Sequence, residues 1–325
     1  MRLGIVGCGD ASLAIGLATR FVRRCSISVV CDVDGRRRER FARRFGATPV
    51  AEWQELLDGR LADAVYVAVP HDLHRELAAP LADAGLDVLL EKPLAATLAD
   101  AGMLARGDAP GVVAVNYQYR FDPRVRALVG AARSGRLGEI SHISVDVPWY
   151  RDEAYFRAAP WHASIQRAGG GTLLTQGSHA LDVALLASGE RPARACGRTY
   201  RRVHPAVEVE DLATGVVETE SGLPIMITSS MVTRPQRRLS IAVHGSAGTV
   251  VYRGPSRPAL RSRGVRVRAP FVLTQLHPYV ASLAAFRDSH EGRPSAVCTA
   301  ADALPVMRAV DALYRSAAEG RVVSV

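Results

Sequence analysis

Short apolar runs alternate with amphipathic stretches through the first third of the chain. Residues 2–6, 27–31, 64–69, 87–90 and 111–115 read as strands. Between them, 12–24 repeats Leu13, Leu17 and Phe21 at helical spacing, 35–45 is a basic helix, and 71–84 is a helix stopped by Gly85. Apolar strands alternating with helices predict a parallel sheet covered on both faces. After about residue 120 the pattern changes. A helix at 122–133 precedes a strand at 140–147 and a loop rich in aromatic residues: Trp149, Tyr150, Tyr155, Phe156 and Trp161. A glycine run leads into a helix at 172–186. Strands at 195–203, 212–219, 224–231, 239–244 and 249–252 follow with short turns, which predicts an antiparallel or mixed sheet. Helices at 278–290 and 300–318 close the chain. The fold class expected is α/β, with domains at 1–119 and 120–325. The arginine-bearing stretch 257–268 reads as a solvated loop or edge strand.

At 325 residues, 48% hydrophobic and 22% charged, the chain reads as a globular protein of about two domains. It contains no run of roughly 18 apolar residues, so no membrane span is expected. A strand that reaches Gly7 leaves no room for a signal peptide. Five cysteines without a CxxC spacing read as buried thiols in a reducing cytosol, with no metal site. A net charge of +9 favours an anionic small-molecule ligand. No helix-turn-helix, zinc finger or aromatic-basic RNA signature is present, which argues against nucleic acid.

Gly7-Cys8-Gly9-Asp10-Ala11-Ser12 follows the first strand and opens a helix, the place where backbone approaches a pyrophosphate. Ser12 occupies the third glycine position. Asp32 ends the second strand at the spacing of a carboxylate that accepts hydrogen bonds from a ribose diol. That carboxylate favours NAD. Arg37, between Arg36 and Arg38 at the start of the next helix, keeps NADP open as the 2′-phosphate alternative.

Ligands on open parallel sheets bind beyond the carboxyl ends of strands. Three polar segments fall there: Pro70-His71-Asp72-Leu73-His74, Glu91-Lys92-Pro93 and Asn116-Tyr117-Gln118-Tyr119-Arg120. Pro70, His71, His74, Glu91, Lys92 and Asn116 are therefore candidate cofactor contacts. Lys92 is the only lysine among 41 lysines and arginines. An ammonium can shift its pKa and move a proton where a guanidinium cannot. Pro93 restricts Lys92 to extended backbone, which aims its side chain.

The glycine turn, the strand-ending Glu91-Lys92-Pro93 and the segment Gly169-Gly170-Gly171-Thr172-Leu173-Leu174-Thr175-Gln176-Gly177-Ser178-His179-Ala180-Leu181-Asp182 together resemble the glucose–fructose oxidoreductase/inositol dehydrogenase (Gfo/Idh/MocA) family over most of the chain. The resemblance implies an N-terminal Rossmann domain and a C-terminal α/β domain with an open, mostly antiparallel sheet. It implies NAD(P)-dependent hydride transfer at a secondary alcohol or ketone of a sugar, cyclitol or sugar nucleotide, in a homodimer or homotetramer built through that sheet. Lys92 would be the active-site lysine and His179 the histidine at the reacting hydroxyl. Gly169 to Gly171 would let backbone approach the substrate or nicotinamide. Thr175 stands where many members carry aspartate, which removes one proton acceptor. Tyr119, Arg120, Trp149, Trp161 and Thr175, with Lys92 and His179, are the substrate-side candidates. Two competing readings share the scaffold: a dinucleotide sensor without turnover, and another redox reaction such as imine reduction or glycoside cleavage.

Overall fold

The computed structural model describes residues 1–57, 60–254, 259–270 and 276–325. The chain divides into two compact units. One comprises Met1–Gln118 with Leu276–Leu304, the other Tyr119–Gln275 with Pro305–Val325.

The first unit holds a six-stranded parallel sheet: β1 (Arg2–Val6), β2 (Ser26–Cys31), β3 (Thr48–Val50), β4 (Ala64–Val67), β5 (Asp87–Leu90) and β6 (Val113–Val115). Its order is β3-β2-β1-β4-β5-β6. This is the doubly wound order, reversing between β1 and β4, where ligands bind on such sheets. Every residue of β4 is buried, so both sheet faces are covered. Helices α1 (Asp10–Ala18), α2 (Gly35–Phe45), α3 (His74–Asp83) and α4 (Leu98–Leu104) lie between the strands. The first helix begins at Asp10 and gives way to a 3₁₀ turn at Thr19–Phe21. The short β3 and α4 carry too few periodic positions to be read from sequence.

In the second unit, α5 (Pro123–Arg133), β7 (Ile140–Pro148), α6 (Glu153–Ala158), α7 (Ile165–Ala168) and α8 (Ser178–Ser188) precede β8 (Pro192–Tyr200), β9 (Leu212–Thr219), β10 (Pro224–Ser230), β11 (Leu239–Gly245), β12 (Gly248–Gly254) and β13 (Ala259–Arg263). With β14 (Val323–Ser324) these strands form one sheet, ordered β13-β12-β11-β7-β10-β9-β8-β14. All pairs are antiparallel except β7 with β10. Alternation along β7 buries Ile143, Val145 and Val147, and α5 and α8 pack against this sheet. The opposite face presents Ser144, Asp146, Met226, Thr228 and Ser240, which line a groove of about 230 Å³. The edge-strand reading of 257–268 applies to β13; residues 257 and 258 lie outside the described residues.

The expected contiguous domains are corrected in one respect. Helix α9 (His277–His290) belongs to the first unit, where Leu283 and Phe286 are fully buried in the core of Leu3, Ile5, Ile15 and Val30. The last helix, α10 (Ala300–Glu319), belongs to the first unit up to Leu304 and to the second from Pro305. The cysteines are all free, but Cys196 is exposed and Cys25 half-buried, so only Cys8, Cys31 and Cys298 fit the buried-thiol reading.

Candidate active site

The loop after β1 is shaped by glycine. Gly7 has a left-handed φ of 88°, and a Cβ there would lie 2.2 Å from the Ala68 carbonyl oxygen. Only glycine lets β1 and the end of β4 approach so closely. At Gly9 a Cβ would meet nothing within 4 Å, so open space lies before the loop where α1 begins. Asp10 and Ala11 form the first turn of that helix. Ser12 is fully buried and its hydroxyl donates to the Gly7 carbonyl. The hydroxyl is thus committed to holding the turn.

Asp32 is 6% exposed at the end of β2. Its Oδ2 accepts from Cys8 N at 2.6 Å and its Oδ1 from Asp34 N at 2.8 Å. The carboxylate thus ties the glycine loop to the start of α2. The Arg37 guanidinium stands 3.9 Å from it, and Arg38 donates to the Asp32 carbonyl at 3.0 Å. Asp34 caps α2 by accepting from Arg36 N and Arg37 N, which lowers its carboxyl below the usual range. Val33, between the two acids, is fully exposed, an apolar surface suited to a planar ring. Sequence reasoning missed it because a valine at a strand end reads as core.

Beyond β4, His71 is 5% exposed while His74 is fully buried. The His74 ring nitrogens lie 3.0 Å from the Pro93 carbonyl and 3.2 Å from that of Val69. Burial pushes its pKa down to about 4, so the ring is neutral at pH 7 and donates to one of the two carbonyls. His74 therefore links Pro70's neighbour Val69 to Pro93, next to Lys92. Its side chain presents no open surface in this structure.

The end of β5 is fixed by a polar network. Glu91 Oε1 accepts from the Tyr66 hydroxyl at 2.5 Å and from Asn116 Nδ2 at 2.6 Å, and Oε2 accepts from Lys92 N at 3.2 Å. Asn116 Oδ1 in turn accepts from the Ser282 hydroxyl of α9 at 2.8 Å. Burial, with Glu91 alongside, pushes the Tyr66 phenol well above its ordinary pKa. Asn116 is fully buried, with both its amide nitrogen and oxygen engaged in this network. Lys92 itself is half-buried at the tip of this assembly.

In the second unit, two glycines of the run lie tight against protein. A Cβ on Gly171 would fall 1.8 Å from the Glu210 carbonyl oxygen, and one on Gly170 would fall 2.2 Å from the Tyr314 hydroxyl. Both positions need glycine because protein atoms fill the space a Cβ would take. The Glu210 carboxylate accepts from Gly171 N at 2.7 Å, Leu173 N at 2.9 Å and the Tyr314 hydroxyl at 2.9 Å. It caps the orphan amides of a helical start, while burial pushes its pKa up. Leu173–Gly177 then winds as a π-turn and runs into α8. Such turns are frequent at functional sites. Thr175 lies in it, donating to the Gly171 carbonyl at 2.7 Å.

His179, in the first turn of α8, is 5% exposed and stacks on Tyr119. Arg120 binds Asp182 of the same helix, with a closest distance of 2.5 Å. Trp149 and Trp161 belong to an aromatic cluster: Arg151 covers the rings of Trp149 and Tyr155, while His162 lies against Trp161 and Tyr155. Glu210 and Asp211 were missed. Two adjacent acids before a strand were the available signal. The Asp211 carboxylate receives the backbone amides of Arg202, Val203 and His204, holding the loop that also joins His204 to the Arg151 carbonyl.

The profile of the oxidoreductase family with an NAD-binding Rossmann fold matches residues 1–107, and that of the GFO/IDH/MocA C-terminal domain matches 125–251. The chain belongs to the Gfo/Idh/MocA family. It is an NAD(P)-dependent oxidoreductase. Over 99% of its length it is 29% identical to a putative UDP-kanosamine synthase oxidoreductase subunit of Amycolatopsis mediterranei, covering 97% of that protein. It is 33% identical to inositol 2-dehydrogenase 2 of Saccharopolyspora erythraea, over 69% of this chain and 64% of the other. Its fold is that of the WlbA dehydrogenase of Bordetella pertussis, solved with NADH and UDP-GlcNAcA: the TM-score is 0.88 at 24% identity, over 100% of this chain and 97% of that one. The residues present fit the dinucleotide of this family. Open space faces Gly9, Asp32 is anchored at a strand end, and Val33 offers an apolar surface beside it. Among the described residues, no group of three or more histidine, cysteine or acidic side chains is placed to hold a metal. No described helix is long and apolar enough to cross a membrane.

Proposed function

We propose that this protein oxidises a secondary alcohol, or reduces the matching ketone, on a sugar-like ring, with Lys92 and His179 as its catalytic residues and NAD preferred over NADP. The observation that carries the reading is the only lysine of the chain, held at the tip of β5 by the Tyr66–Glu91–Asn116 network in the unit that carries the dinucleotide loop.

Bound NAD supplies hydride acceptance at its nicotinamide. Gly7, Gly9, Asp10 and Ala11 would receive the pyrophosphate at the start of α1, and the Asp32 carboxylate would accept from the ribose hydroxyls. Arg37 and His71 would flank them. The Lys92 ammonium donates to the substrate oxygen and stabilises charge as it develops there. The His179 imidazole takes the hydroxyl proton in oxidation and returns it in reduction. Thr175, Trp149 and Trp161 would contact the ring being processed, since aromatic faces suit the apolar face of a sugar.

The Amycolatopsis relative is named for UDP-kanosamine and the Bordetella protein was solved with UDP-GlcNAcA, so nucleotide-linked sugars are the first substrates to try. A net charge of +9 agrees with an anionic substrate. The protein would work in the cytoplasm as a homodimer or homotetramer joined through the open face of the eight-stranded sheet.

The test follows reduced-cofactor absorbance with NAD and NADP against nucleotide sugars, free sugars, cyclitols, ketones and imines. Turnover of a sugar-like alcohol, faster with NAD, supports the reading. Tight NADH binding with no turnover across the panel would replace it with the sensor. Glycoside cleavage without net cofactor change would replace it with the redox-assisted reaction.

A further inference from the structure

Tyr119 and Arg120 were expected to touch substrate, and the geometry assigns them another task. The Tyr119 ring lies on the face of the His179 imidazole, with centroids 4.5 Å apart and planes 22° from parallel. The next residue, Arg120, grips the Asp182 carboxylate: Nε lies 2.9 and 3.1 Å from its two oxygens, and Nη2 lies 2.5 Å from Oδ1. His179 and Asp182 stand three residues apart on α8, hence on neighbouring positions of one helix side. Two consecutive residues thus address two positions on one side of the same helix, one turn apart. Tyr119 is 7% exposed, and the Arg120 and Asp182 side chains are 13% and 1% exposed.

The ring torsion of histidine is broad when nothing restrains it. A flat neighbour against one face removes that freedom. A fork of guanidinium on carboxylate is geometrically specific in a way that a lysine contact is not. We propose that Tyr119 and Arg120 are positioning residues for His179: the buried Arg120–Asp182 fork fixes where Tyr119 sits against α8, and the Tyr119 ring fixes the plane of the imidazole. This rests on the reading of His179 as the group that handles the substrate proton. An imidazole held in one plane keeps its nitrogen aimed at one oxygen, and small misplacements of a reacting group can cost about a hundredfold in rate.

The test compares Tyr119→Leu, Tyr119→Phe, His179→Ala and the double variant Tyr119→Leu/His179→Ala, using the fastest alcohol of the panel above at saturating NAD. Ring resonances of histidine-labelled protein are recorded without substrate. Tyr119→Leu is expected to lower kcat by about tenfold or more, leave KM and the NADH dissociation constant near wild type, and move the His179 resonance. Tyr119→Phe, which keeps the ring, should recover most of that loss. In the His179→Ala background Tyr119→Leu should cost nothing further. Arg120→Met alone would bury an unpaired carboxylate and threaten folding, so the fork is tested with Arg120→Met/Asp182→Leu, expected to fold and to lower kcat as Tyr119→Leu does. Wild-type kcat or an unmoved His179 resonance in Tyr119→Leu overturns the proposal, as does a loss that multiplies in full onto His179→Ala; either leaves the role of His179 standing. Wild-type kcat in the fork variant overturns the part given to Arg120. Wild-type kcat in His179→Ala overturns the reading beneath the proposal and the proposal with it.

Discussion

At the scale of single residues, the chain sets one ammonium, Lys92, among guanidinium charges that never leave. Lys92→Arg keeps the positive charge but replaces a compact ammonium donor with a bulkier planar fork that cannot meet the substrate oxygen in the same geometry. Turnover should fall about a hundredfold or more, with NADH affinity, read by fluorescence titration, close to wild type. Undiminished turnover would mean that the substrate oxygen does not need the ammonium of Lys92. His74 gives a pH signature of its own. Burial holds its folded pKa at about 4, below the ordinary histidine value of 6.5. Between these values the unfolded chain binds a proton that the folded one refuses. Stability from His74 is therefore full above pH 6.5 and is lost as pH falls toward 4. The shift corresponds to about 3 kcal/mol. Urea unfolding at pH 7 and pH 4.5 should show wild type losing more stability than His74→Gln, and equal losses would mean that the ring is not buried neutral. Both residues were visible in the sequence as polar groups at strand ends. That one is half-buried and the other walled in was not, because burial depends on the Pro93 and Val69 carbonyls that fold around His74.

At the scale of elements, the local signals were read well and the long-range ones were not. The glycine loop, Asp32 and Glu91-Lys92-Pro93 are short motifs at strand ends, so sequence order alone places them. The start of the helix bearing His179 depends on Glu210, whose bonds to Gly171 and Leu173 span 39 and 37 residues. No local pattern encodes such a partner. The π-turn is equally silent, since apolar spacing near one turn of helix reads the same in either winding. Glu210→Leu should leave two buried amides and the Tyr314 hydroxyl without their acceptor, at about 1–3 kcal/mol for each unsatisfied group. Thermal unfolding should show a fall of several degrees, and Glu210→Gln, which keeps one acceptor oxygen, a smaller one. A Glu210→Leu protein as stable as wild type would mean that the carboxylate is dispensable as a cap.

At the scale of the whole molecule, the alternation of strands and helices identified a doubly wound sheet followed by a mixed one, but not the return of the chain. Apolar positions on α9 announce a buried face without saying which core receives it. The core is that of the first unit, where Leu283 and Phe286 are fully buried. Ser282 also completes the network behind Lys92, and the Cys298 carbonyl accepts from Val115 N at 2.7 Å, covering the edge of β6. Burying the two side chains contributes roughly 3–6 kcal/mol together. That is a large share of the roughly 5–15 kcal/mol by which a domain is stable. A fragment of residues 1–118 lacks these groups and leaves β6 uncovered, so it should neither unfold cooperatively nor bind NADH. The same fragment joined by a flexible linker to residues 276–304 should regain a sigmoidal melt and NADH fluorescence enhancement. If 1–118 alone binds NADH as tightly as the full chain, α9 is an accessory to the dinucleotide unit and not part of its core. If the joined fragment stays unfolded, the unit needs more of the chain than the segment that fills its core.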